Sequence, residues 1–388
     1  LQHEFLAGAS HLPESDWRRL ATANDPFISR EFLGAAERSG AAGEEMGWRP
    51  VHLLLRDRDG TAAGLLPLYW RDHSFGDFSR DWNWPSAWQR SGLRYYPKLV
   101  SGVPYTPSPG PRLLALHDGP AVAADLIAAA IAAARRFGAS GWHCLFVREE
   151  DRAALAAAGL LMRRGVQFHW KNRGYRDFAD FLDGFNAVKR KKLKRERRIV
   201  AESGLRIETL HGDEIGAGLW KAIYRHYRDT FERYGNYPAF PLEFFRDVGA
   251  ALGPRMVVFV AYAGRHPVGS AICYRDGSTL YGRHWGCDGE RPGLHFELSY
   301  YQGIEYAIRE GLAGFEAGSG GEHKLARGFE PTPTWSAYWI ADARMREAVA
   351  QYIAREDEAM LDYEAETTER LPYKAVQYQA SRARDAGT

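Results

Sequence analysis

A chain of 388 residues, 45% of them hydrophobic, is too long for one ordinary core and asks for two large domains. Its 51 Lys and Arg against 49 Asp and Glu leave a formal charge of +2, which excludes a uniformly basic nucleic-acid coat and a strongly acidic protein; any electrostatic targeting must be local. Three cysteines without CxxC spacing, Cys144, Cys273 and Cys287, exclude a disulfide scaffold and a zinc ribbon and fit a reducing cytoplasm. No apolar run approaches the roughly 20 residues that span a bilayer, and the first residues lack the basic-then-apolar pattern of a signal peptide.

Along the chain, VHLLLRDRDGTAAGLLPLYW reads as two strands about the Asp-Gly turn at Gly60. The Trp-rich stretch that follows, with Trp82, Trp84, Trp88, Tyr95 and Tyr96, reads as an insertion whose rings either cover an acceptor or, as such clusters usually do, make core. VPYTPSPGPR reads as a rigid strand exit. DGPAVAADLIAAAIAAARRFG then places Val122, Leu126, Ile127 and Ile131 on one helical face and stops at Gly138. A strand, a helix and the strand GVQFHWKNRGY follow, with His169 alternating against Phe168 and Trp170 in a structural role.

After a helical section, MVVFVAYAGRHPVGSAICY repeats the hairpin, turning at Gly264. HFELSYYQGIEYAIREG repeats the helix, with Leu294, Leu298, Tyr301 and Ile308 on one face and a stop at Gly311. Both helices run into one short phrase, GASGWHCLF and GLAGFEAG. Gly141 matches Gly314, Trp142 matches Phe315, and His143 falls opposite Glu316. Chance likeness of two Gly-rich turns is the competing reading. The repeated order predicts a mixed-sheet α/β fold rather than a doubly wound parallel sheet, with an N-terminal domain over 1–168 and a C-terminal one over 169–388. Residues 342–369 read as a long surface helix.

The stretch YGRHWGCDGERPGLHFELSYYQGIEYAIREGLAGFEAGSGGEHKLARGFEPTPTWSAYW resembles the signature of a bacterial family of N-acyltransferases labelled peptidoglycan biosynthesis or recognition proteins. PFISREFLGAAERSG, GLRYYPKLVSGVPYTPSPGPRLL and the KRKKLKRERR run extend that likeness over most of the chain. The resemblance implies a fold similar to Fem-type aminoacyltransferases and the GNAT superfamily, here as two tandem GNAT-like domains. One departure bears on the donor. Acetyl-CoA-dependent GNAT enzymes carry Gln/Arg-x-x-Gly-x-Gly/Ala where a helix N-terminus holds pyrophosphate, and here Arg291-Pro292-Gly293-Leu294-His295-Phe296 does not match. Aminoacyl-tRNA and acyl-CoA both stay open as donor co-substrates, with no tightly bound cofactor expected.

Acyl transfer to an amine needs a neutral amine, polarisation of the carbonyl and a route for protons. The phrase of the second half supplies Glu316, flanked by Ala317 and Gly318, as a candidate base whose pKa burial would have to raise; a carboxylate paired with Arg or Lys is the plainer alternative. The loop GSGGEHKLARG crowds Glu322, His323, Lys324 and Arg327 onto a Gly-rich turn that suits a phosphate or carboxylate, as it would a solvated turn. His295 and His323 are further catalytic candidates. Glu297, beside His295, is a candidate for substrate or donor binding, with the helix dipole as its plain explanation. Alternation in the preceding strand places Tyr281, Arg283 and Trp285 on the face lining a cleft and His284 on the other.

The run from Lys189 to Arg198, with Lys191, Lys192 and Arg195 at its centre, suits tRNA, CoA phosphates or an anionic lipid surface, against a merely solvated basic helix. Leu193 alone is a weak apolar stripe for a membrane. No metal-binding spacing occurs, and no catalytic metal is expected. The expectation is a cytoplasmic enzyme moving an acyl or aminoacyl group to a small-molecule or peptide amine, with one active and one supporting layer. The rival is a catalytically silent protein of the same fold that recognises a peptidoglycan or tRNA fragment.

Overall fold

A computed structural model describes residues 1–21, 24–116 and 119–374. The chain divides into two compact units. One comprises Leu1–Val166, Ala239–Phe244 and Pro333–Asp362; the other comprises Gln167–Pro238, Phe245–Thr332 and the remainder from Tyr363. The expected contiguous division at 168/169 gives way to these interleaved segments, for a reason that lies in strand pairing.

In the first unit, β1 (His52–Arg56) and β2 (Ala62–Leu66) form the expected hairpin, with Leu53 opposite Leu66. The helix α1 (Gly119–Arg136) ends just before Gly138, whose φ of 65° only glycine adopts readily. It feeds β3 (Gly141–Val147), which runs parallel to Lys98–Ser101. Leu126, Ile127, Trp142 and Cys144 share the apolar core of this unit. The next strand, β4 (Leu161–Lys171), starts here but places His169, Trp170 and Lys171 in the second unit.

The second unit opens with the basic helix α2 (Ala187–Ala201), capped by the Asn186 side chain accepting from Lys189 N–H. There follow β5 (Arg206–His211), α3 (Ala217–Arg233), and the antiparallel strands β6 (Met256–Ala263), β7 (His266–Arg275) and β8 (Thr279–Cys287). The expected second helix is interrupted: a π-helical turn, Glu297–Tyr301, precedes α4 (Gln302–Arg309). Such turns recur at functional sites because they re-aim side chains within a helix. Gly311, at φ 66°, then turns the chain into β9 (Gly314–Glu316), parallel to β8.

The repeat is structural as well as textual. His143 lies between Val100 on its parallel neighbour and Tyr338 on its antiparallel one. Glu316 lies between Tyr281 and His169 in the same way. The antiparallel neighbour is exchanged in each case. The strand that ends the first half, β4, pairs with β9 through His169–Lys171. The strand that ends the second, β10 (Glu330–Ile340), pairs with β3 through Trp335–Ile340. That exchange makes both units discontinuous in sequence. The long helix expected after it runs from Ala343 to Glu369.

Candidate active site

The second unit gathers the ionisable groups of the phrase and the Gly-rich loop beside a small pocket. β8 carries a bulge: Ile272 faces His284 while Cys273 faces Gly282, so Arg283 is the extra residue. A bulge bends its strand and redirects the side chains around it. Arg283 Nη2 donates to Glu316 Oε1 at 2.8 Å, and the pair is almost wholly buried, at 4% and 2% exposed. The plainer alternative for Glu316 therefore describes its geometry: its carboxylate is engaged by a guanidinium rather than standing alone as a base.

Lys324 is the buried cation of the Gly-rich loop. It lies in the short helical turn Glu322–Arg327, is 2% exposed, and its ammonium donates to the carbonyl oxygen of Gly318. Burial draws its pKa from 10.5 down to about 8, with Glu316 resisting the fall and Arg283 adding to it. The reach back to Gly318 is possible because Gly318, Gly320 and Gly321 all take positive φ, folding the loop tightly.

The pocket, about 100 Å³, is lined by Arg283, His284, Trp285, His295, Ser299 and Tyr300 among others. His295 stacks on Trp285 with ring centroids 4.4 Å apart, and burial, then His323, lowers its pKa to about 4. Tyr300 OH lies 2.7 Å from Nε2 of the exposed His323, and burial raises the phenol to about 12. His295 and His323 thus stand on one aromatic wall, with Tyr300 between them. Ser299, whose buried hydroxyl has no hydrogen-bond partner among the described residues, escaped the sequence reading, as did Tyr300; the π-helical turn that presents both leaves no mark in a 3.6-residue pattern.

Other expected residues go elsewhere. Tyr281 directs its hydroxyl to Asp276, 2.7 Å away, and does not line the pocket beside Arg283 and Trp285. Glu297 is paired with Arg197 of α2 at 2.8 Å and faces a different hollow. Glu322 is exposed and bound by Arg370 and Tyr363. Arg327 is buried, ties the loop to Glu196 of α2 at 2.8 Å, and lies over the Phe296 ring at 3.4 Å. Lys191, Lys192 and Arg195 are exposed on α2 and make no ion pair among the described residues. His169 is half-buried opposite Glu316, 3.1 Å from Gln167, and burial lowers its pKa to about 4 against the opposing effect of Glu316.

The corresponding position of the first unit is sealed core. Lys98 Nζ lies 2.9 Å from Asp77 and 2.6 Å from Asp81, all three at zero side-chain exposure. Burial opposes the Lys98 charge, yet the two carboxylates hold its pKa above the ordinary value. His143 has neither ring nitrogen hydrogen-bonded among the described residues, its Nδ1 standing 3.9 Å from Asp81, and burial together with Lys98 keeps it far below the usual histidine range. Trp84, Trp88 and Tyr95 pack around it as core, whereas Trp82 is exposed.

These features define a tandem GNAT-like protein with an ionisable cluster in its second unit. The chain belongs to the FemAB-like family, described as peptidoglycan biosynthesis/recognition, whose profile matches residues 8–375. No curated protein sequence matches it. Among solved structures it is similar to FemX, at 12% identity and a TM-score of 0.55, covering 90% of this chain and all of that one. It is also similar to the C-terminal domain of a putative lysylphosphatidylglycerol synthetase from Agrobacterium fabrum, at 12% identity and a TM-score of 0.51, covering 88% and 96%. A tandem GNAT protein from the clavulanic acid biosynthesis pathway aligns at 15% identity and a TM-score of 0.43, covering 88% and 98%. At these identities the likenesses to FemX and to the synthetase domain speak for the fold alone.

Proposed function

We propose that this chain is an N-acyltransferase or aminoacyltransferase acting on an amine of a peptidoglycan-precursor peptide, with an aminoacyl or acyl ester or thioester as donor. The observation that carries the reading is Lys324, a buried lysine whose pKa falls to about 8 beside the Arg283–Glu316 pair. A general base is most useful when its pKa lies near the working pH. Neutral Lys324 takes a proton from the acceptor amine as its nitrogen attacks the donor carbonyl carbon. The carbonyl carbon's bond to the leaving oxygen or sulfur then breaks, and the lysine returns its proton to that atom. Glu316, expected from the sequence to be the base, takes a positioning part: it fixes Arg283 at the bulge and tunes Lys324. His295, Tyr300 and His323 form the wall against which the acyl group rests.

The test is mass-spectrometric detection of acylated precursor peptide, using wild type and Lys324→Met with a panel of aminoacyl-tRNAs and acyl-CoAs. Turnover by wild type that falls at least about a hundredfold in Lys324→Met agrees with general-base loss. Ligand binding without turnover in wild type across the whole panel overturns the reading in favour of a silent binding protein.

A further inference from the structure

The basic helix α2 borders a hollow on the second unit that the transfer chemistry does not use. This groove, about 640 Å³, has a floor that includes Phe178, Leu182, Leu205 and Ile207, and its edge carries the exposed Lys194 and Arg198. Its size falls in the range of small-molecule sites, roughly 300–1,000 Å³. Two acids also line it, Glu297 and Glu305, but both are held by Arg197 at 2.8 Å. Arg197 in turn lies over the Phe178 ring at 4.4 Å. One guanidinium shared by two carboxylates leaves a negative charge there, and Lys194 and Arg198 at the edge bring the lining as a whole to a net positive charge.

The outward surface of α2 has a second property that the run of cations hides. Val188 is 77% exposed and Ile199 42% exposed, and both stand among Lys191, Lys192, Lys194 and Arg195, none of which makes an ion pair among the described residues. At 100° per residue, Val188, Lys192, Arg195 and Ile199 fall along one line of the helix. Binding to a nucleic-acid backbone calls for cations, with aromatic rings where bases stack. This helix offers no aromatic residue, and instead places two aliphatic side chains in water on the flank of the cationic face that lies away from the groove. A face that carries both cations and exposed aliphatic side chains can meet a negatively charged bilayer through charge and hydrocarbon contact together.

We propose that α2 and this groove dock the protein on an anionic phospholipid surface, with Lys191, Lys194, Arg195 and Arg198 at the phosphates. Val188, Ile199 and the groove floor take the hydrocarbon. Among the described residues no helix is long and apolar enough to cross a membrane, so the contact proposed is peripheral. It needs no donor or acceptor, and its failure leaves the transfer reaction standing.

The experiment is co-sedimentation of the full chain with phosphatidylcholine vesicles, with and without phosphatidylglycerol, alongside filter binding of bulk tRNA. Binding to the anionic vesicles alone is expected. The triple variant Lys191→Ala, Lys194→Ala, Arg195→Ala should weaken it about a hundredfold, at about fivefold per charge. Val188→Ser with Ile199→Ser, and separately Leu205→Ser in the groove floor, should each weaken it with the cations intact. Circular dichroism establishes that each variant is folded. Absence of anionic-vesicle binding, or tRNA binding through the same three cations in its place, overturns the proposal. Vesicle binding indifferent to both the Val188/Ile199 pair of substitutions and Leu205→Ser overturns it too, because charge alone would then account for it.

Discussion

Lys324 offers a test that needs no knowledge of the substrate. Burial lowers its pKa from 10.5 to about 8, whereas the unfolded chain leaves it near the ordinary value. Below about pH 8 the lysine is charged in both states, and the native state bears the full penalty, about 3 kcal/mol for that difference in pKa. Between about 8 and 10.5 the unfolded state binds the proton and the folded state does not, so wild-type stability must rise with pH. Lys324→Met removes this dependence. Relative to the variant, wild type should gain about 2 kcal/mol of unfolding free energy between about pH 7 and about pH 9.5. The bond to Gly318 is lost in the variant at either pH and largely cancels in this difference. Urea unfolding of both proteins at the two pH values measures it. A difference that stays flat with pH would refute the buried, depressed lysine and with it the base assigned here.

The Arg283–Glu316 pair should behave as a buried ion pair: Glu316→Gln loses about 3–5 kcal/mol, while Arg283→Met with Glu316→Leu loses much less, as a double-mutant cycle by urea denaturation will report. Lys98→Met in the first unit leaves Asp77 and Asp81 without their cation and should also cost about 3–5 kcal/mol. Transfer activity per folded molecule should be unchanged there, and a drop in kcat in folded protein would give that cluster a catalytic part. Gly286→Ala puts a methyl 1.8 Å from the carbonyl oxygen of His226 on α3, so a large fall in melting temperature is expected. An unchanged melting temperature would mean that β8 and α3 are farther apart than described.

Local order was readable because it is written locally. The hairpins announce themselves by apolar runs about a turn, and both helices end at glycines that prove to have positive φ, Gly138 and Gly311. Pairing His143 with Glu316 by text alone anticipated their equivalent places between strands. The exchange of β4 and β10 was not readable, since an edge's partner is set by packing far along the chain and neither strand's own residues name it. The same limit governs the site. Alternation placed Arg283 and Trp285 on one face, but the bulge that brings Arg283 to Glu316 breaks alternation right after Gly282, a glycine the sequence reading passed over. Glu297 looked like a helix-dipole residue because its partner, Arg197, stands a hundred positions away. Lys324 looked like one more loop cation, and its burial, on which the proposed base rests, is set by packing that the loop's own residues do not name.

The exchanged strands also decide what a cut in this gene would produce. A fragment ending at residue 168 would keep β3 but lack Trp335–Ile340, leaving the backbone donors and acceptors of that edge open to any other strand. A fragment starting at 169 would keep β9 and its partners His169–Lys171 while carrying Trp335–Ile340 with nothing to pair against. Each piece would therefore be an aggregation-prone half, and the shortest inheritable unit of this protein is the whole tandem.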